Sequence, residues 1–152
     1  MAAYIGRIQD ANSNDVYPQT KSEAVIGLDD KIKGATSDTG NVMTGISFLN
    51  GAYDYGKKAS GNPYSFYRVV TVGDVDIVML SLDVSRNKAT ASPVVYGTIP
   101  ASIALTGTNN FAASPNGVQV RFTDNTFRIA PTGELPIDAR VQLRVTWIKN
   151  HK

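Results

Sequence analysis

Residues 140–147, Arg140-Val141-Gln142-Leu143-Arg144-Val145-Thr146-Trp147, alternate strictly between polar and apolar side chains. Successive side chains of a strand point to opposite faces, so this period sets Val141, Leu143, Val145 and Trp147 toward a core and both arginines toward solvent. The same period recurs upstream. Gly117 to Phe122 places Val118, Val120 and Phe122 inward with Gln119 and Arg121 outward, and Thr123-Asp124-Asn125 turns the chain into Thr126 to Ala130. Val75 to Val84 aligns Val78, Leu80, Leu82 and Val84 on one face. Gly73-Asp74 separates it from Tyr64 to Val72, which predicts an adjacent antiparallel pair. Pro93 to Thr98 reads as a short strand. Ile46 to Leu49, Asn50-Gly51 and Ala52 to Tyr55 read as a hairpin, because Asn-Gly supplies the positive φ angles of a type I′ turn. Roughly seven to nine closely spaced strands from Ile46 onward predict a mainly β fold, an antiparallel β-sandwich or jelly-roll-like barrel.

The opening differs in texture. Tyr4 to Ile8, the turn cluster Asn12-Ser13-Asn14-Asp15 and Val16-Tyr17-Pro18 read as a small hairpin. Ser22 to Gly34, with Val25, Ile26, Leu28 and Ile32, fits one or two helical turns closed by glycine, and any helix is expected there. Residues 1–34 are therefore expected to form an amino-terminal attachment segment. Residues 35–45 (ATSDTGNVMTG) have the composition of a linker, and 46–152 of a β-rich head domain. The polar stretches Lys57 to Pro63, Ser85 to Ser92, Thr106 to Asn116 and Pro131 to Asp138 are expected as loops that carry recognition.

Composition narrows the chemistry. In 152 residues, hydrophobic side chains make up 42% and charged ones 18%, enough apolar character to fold. The net charge of +2 is a small excess that does not point to nucleic acid. With no cysteine, disulfides, thiolate metal sites and cysteine nucleophiles are excluded. The lone histidine, His151, cannot assemble a Ser-His-Asp or multi-His site from a rigid interior position. No stretch nears the ~20 apolar residues that span a bilayer, and the start lacks a signal-peptide pattern. A non-enzymatic protein without cofactor or metal is expected, made in a cytoplasm without a signal peptide and independent of membrane and nucleic acid.

Asp74 with Asp76, and Asp29 with Asp30, are acidic pairs too poor in ligands for calcium, and solvated turn aspartates are the expectation. Tyr53, Tyr55, Tyr64, Phe66 and Tyr67 cluster with Asn50, Asp54, Asn62 and two lysines. Such a mixture suits saccharide, since aromatic faces take the C–H side of a pyranose and short polar groups fix its hydroxyls. Strand packing competes for the same residues, and Phe66, one tyrosine and Trp147 are expected in the core. Arg121, Arg128, Arg140 and Arg144 are expected on neighbouring polar strand faces, as a solvated row, an anion patch or a trimer ladder.

The run YIGRIQDANSNDVYPQTKSEAVIGLDDKI (residues 4–32) resembles the starts of small structural proteins of tailed phages that infect Gram-positive bacteria. TIPASIALTGT (98–108), NFAASPNG (110–117) and VQLRVTWI (141–148) resemble the β-rich heads of receptor-binding or tail-accessory proteins of such phages. The chain lacks the glycine-repeat or heptad shaft of such fibres. The resemblance implies a virion component, a homotrimer that docks to other tail or baseplate proteins and meets host cell-wall saccharide. A purely structural connector or capsid-surface fibre is the alternative, and an isolated carbohydrate-binding module a more distant one. Candidate saccharide ligands near strand ends are Tyr53, Asp54, Tyr55, Asn62, Asp74 and Arg86.

Overall fold

The computed structural model describes residues 36–151, so the expected amino-terminal hairpin and helical turn lie outside the described residues. The alternating run after Gly73-Asp74 forms one long strand, β5 (Val75–Arg86), around which a five-stranded antiparallel sheet is built. One edge of β5 takes β10 (Val141–Asn150) over ten residue pairs, from Val141 opposite Val84 to Asn150 opposite Val75. The other edge takes β4 (Phe66–Val72) and, farther along, β3 (Ala52–Asp54). β1 (Thr36–Asp38) closes this sheet against β4. The second sheet runs β2 (Ser47–Phe48), β6 (Val94–Thr98), β9 (Thr126–Pro131), β8 (Val118–Thr123), β7 (Thr108–Ala113).

Strand accounts for 55% and helix for 8% of the described residues, and the two antiparallel sheets form a sandwich with no closed barrel. Val78, Leu80, Leu82 and Val84 of β5, with Val141, Leu143 and Trp147 of β10, form one inner face. Val120, Phe122, Phe127 and Ile129, all fully buried, form the other. Ile99 and Ile103 close one end and Leu135 the other, where its backbone pairs with Thr90. Trp147 is in the core as its period required, with its indole N–H buried and unpartnered among the described residues.

Several local expectations are corrected. Asn50 (φ 54°) and Gly51 (φ 79°) do make a tight turn, with Ala52 N–H donating to Leu49 O at 2.9 Å. It is not a hairpin: β2 joins the second sheet and β3 the first, so the turn carries the chain across the sandwich. The turn geometry was local and legible, whereas the choice of partner strand was set by the sheets. Part of the expected 35–45 linker is strand: β1 pairs with β4, pinned by Arg68 Nε to Asp38 Oδ1 at 2.8 Å. That guanidinium's hydrogen bond, helped by the Gly40 amide, holds the Asp38 carboxyl down at about 2. Thr106 to Asn116, expected as a loop, contains β7, whose weak alternation is rescued by pairing with β8. Phe66, expected in the core, points outward and is half-buried, since its cross-strand partner is Ser81 and not an inward residue. Tyr67, opposite Leu80, is the tyrosine that packs on the core. A short helix, α1 (Tyr55–Ser60), occupies residues read as extended chain and loop.

The inward and outward assignments can be tested by urea unfolding. Ile129→Ala should cost about 2 to 5 kcal/mol through transfer and cavity terms. Ile148→Ser, at a position 70% exposed, should stay within about 0.5 kcal/mol. Similar losses at both positions would contradict the assignment.

Candidate functional site

The site is built by one carboxylate that sequence period alone would have sent to a strand end. Asp54, only 3% exposed, ends β3 and caps α1, accepting from Lys57 N at 3.1 Å. Its oxygens also accept from Tyr64 N at 2.9 Å and Ser65 N at 2.7 Å. One side chain thus satisfies a helix start and the returning strand together. Burial acts to raise the Asp54 pKa, but the hydrogen bonds from Tyr64, Ser65 and Lys57 outweigh it and hold it below the ordinary carboxylate range. Gly56 permits the tight return: a Cβ there would stand 2.3 Å from the Tyr64 ring and 2.5 Å from Asn62 O.

The residues 61–65 and α1 cover the outward side of β5, where Ser81, Asp83 and Ser85 are buried. Asp83 receives a two-pronged bond from Arg140, Nε to Oδ1 at 2.8 Å and Nη2 to Oδ2 at 2.5 Å, with Gln142 Nε2 at 3.1 Å. Its backbone N–H donates to Ser65 Oγ at 3.0 Å. The Arg140 guanidinium lies 4.6 Å from the Tyr55 ring centre and 6.0 Å from that of Tyr64, within cation–π range. A third cluster ties α1 to the 136–139 loop: Lys58 Nζ meets Asp138 Oδ2 at 2.5 Å, and Tyr53 OH donates to Asp138 Oδ1. The Lys58 and Tyr53 hydrogen bonds lower the Asp138 pKa.

Two depressions flank this construction. The first, about 480 Å³, has an apolar floor of Met43, Ile46 and Phe48 and a rim of Tyr53, Lys57 and Lys58. The second, about 290 Å³, opens on the outer face of the first sheet between Asn41, Tyr64, Phe66, Gln142 and Arg144. Met43 and Pro63 wall both. Tyr64 is 40% exposed.

Of the six candidate ligands, Tyr53, Asp54, Tyr55, Asn62 and Arg86 come to this end of the sandwich. Asp74 does not: it sits in the turn before Val75, a full β5 length from Arg86, about 40 Å of strand. Asp54 and Arg86 are held by the protein itself, Arg86 through Nε to Asn50 O at 2.9 Å. Asp76, expected as a solvated turn residue, is buried and bonded to Thr71 Oγ1 at 2.7 Å and His151 Nδ1 at 2.8 Å. The four arginines do not form one row. Arg140 and Arg144 belong to the first sheet's outer side, and Arg121 and Arg128 to the second sheet. Asn41, Gln142 and Arg144 were missed as groove residues; strand alternation marked the last two as outward, but only the sheet order places them beside Tyr64. No protein-family model matches the chain, and no curated protein or solved structure matches it either.

Asp54→Asn should cost about 1 to 3 kcal/mol at neutral pH by thermal or urea unfolding. Because the folded-state pKa is depressed, the carboxylate's contribution is complete above the ordinary value near 4 and fades as pH falls through the folded one. The stability gap between the parent and this variant should therefore close in acid. A gap independent of pH down to 2 would place the effect elsewhere.

Proposed function

We propose that this chain is a non-enzymatic receptor-binding component of a phage tail or baseplate that holds host cell-wall saccharide in the paired depressions beside α1. The observation that carries the binding reading is the second depression. An exposed Tyr64 edge and a half-buried Phe66 stand beside Asn41, Gln142 and Arg144, an aromatic surface with hydroxyl-binding groups around it. Arg144 is exposed, lines this depression and makes no ion pair or hydrogen bond with the described residues, which leaves its donors to a ligand. The aspartates here favour positioning over acid–base work, since Asp54, Asp83 and Asp138 each already accept several hydrogen bonds. The virion setting, the homotrimer and the tail or baseplate partners come from the resemblance of residues 4–32 and of the later motifs.

The structural-connector reading is favoured by one feature. On the first sheet's outer face, at the Asp74 end, Ile148 (70% exposed) shares a register row with Ile77 and Val70, beside Val72 (50% exposed). Such a surface suits protein contact.

Purified cell-wall polysaccharide, titrated onto the full chain, separates the two. Tyr64→Ala and Arg144→Ala should each weaken binding by roughly five- to 150-fold, the equivalent of about 1 to 3 kcal/mol. Asp74→Ala should bind as the parent does. No binding to any wall polysaccharide or host cell would replace the receptor reading with the connector.

A further inference from the structure

The outward face of the second sheet is separate from the groove and differs from it in charge. β2, β6, β7, β8 and β9 contain no Asp or Glu, and their only charged residues are Arg121 and Arg128. These two are direct cross-strand partners, both exposed. Like charges placed directly opposite destabilise a sheet, and here no carboxylate in its strands offsets them; the nearest in the chain, Asp124, sits in the β8–β9 turn and forms no ion pair with either among the described residues. Arg121 Nε donates to Asn110 Oδ1 at 2.8 Å, which orients its terminal amines, while Arg128 has no partner among the described residues.

One step of two residues along the strands, about 7 Å away, lies a second row. The register joins Thr108 to Thr123, Thr123 to Thr126, Thr126 to Thr98 and Thr98 to Ser47, a hydroxyl on every strand of the sheet. At a strand spacing of about 4.8 Å the row is about 19 Å long. It offers donors and acceptors to a polyhydroxyl chain laid across the strands, with the two guanidiniums beside it.

We infer that this face is a second binding surface, for a polysaccharide bearing phosphate monoesters. Charge complementarity selects an anion. Two adjacent guanidinium forks suit a group with three acceptor oxygens, whereas a carboxylate's two are satisfied by one fork. A phosphate monoester carries close to two negative charges at neutral pH and loses one near pH 6. Binding therefore weakens on acidification even though both arginines stay charged.

The test uses the full chain with dextran phosphate, dextran sulfate and neutral dextran of equal length. Dextran phosphate should bind at least tenfold more tightly than neutral dextran, and at least threefold less tightly at pH 5 than at pH 7.5. Dextran sulfate should bind more weakly than the phosphate at pH 7.5 and show no such pH dependence. The Arg121→Gln/Arg128→Gln double variant should lose the preference for phosphate, keep its melting temperature or gain slightly, and keep wall-polysaccharide binding in the α1 groove. Equal binding of sulfate and phosphate at both pH values would reduce the face to unspecific electrostatics and overturn the inference. So would unchanged phosphate binding by the double variant. A change in the oligomeric mass of the double variant would reassign the face to contact between copies of this chain. Because the groove is read out separately, failure here and failure of the receptor reading are distinguishable.

Discussion

The ten-pair ladder between β5 and β10 is the constraint on which the rest of the molecule depends. β5 is flanked on both edges, by β10 on one and by β4 and β3 on the other. Its inward residues supply one wall of the core, and a one-residue slip against β10 would turn Leu143, Val145 and Trp147 out into solvent. The same register brings Gln142 opposite Asp83 on the outer side, next to the Arg140 that grips it. Core packing and groove geometry are thus two faces of one alignment.

At that end the outward side of β5 is polar and yet buried. An unpaired carboxylate there would be costly, and Asp83 is matched by a planar guanidinium, an amide and a neighbouring hydroxyl that bonds its backbone. Such a pair adds little net stability over an apolar substitute, but its directionality fixes where Arg140 lies and so where Tyr55 and Tyr64 stack. Asp54 does the equivalent for the backbone, drawing three amides from two separate turns to one point. The aspartates hold the scaffold of the groove, and the groups left at its mouth are the Asn41 amide, a tyrosine edge and Arg144.

The two outer faces divide the remaining charge unequally. On the first sheet's outer side Arg144 stands at the groove with no carboxylate partner among the described residues, while Arg68, Arg140 and Lys58 each have one. On the second, two arginines oppose each other across β8 and β9 without one. Like charges placed in register without a carboxylate are a cost to the second sheet that the paired cations of the first sheet avoid.

Much of the fold was determined locally. Period-two patterning in 75–84, 117–122 and 140–147 fixed which side chains face the core, since burial of one face tolerates no other register, and Asn50-Gly51 fixed a turn through its positive φ angles. Sequence also placed aromatics and polar groups near Ala52 to Tyr67, which is where the groove lies. Tertiary structure alone decided the rest, because it depends on which strands become neighbours. Asp83 and Arg140, 57 positions apart, meet only across the β5–β10 edge. Asp74 and Arg86 share a strand-end character in sequence, yet the length of β5 holds them at opposite ends of the sheet. Asp54 reads as a strand-end carboxylate open to a ligand until the return of Tyr64 and Ser65 encloses it. Periodicity reports the face a residue takes, and only the sheet order reports what stands beside it on that face.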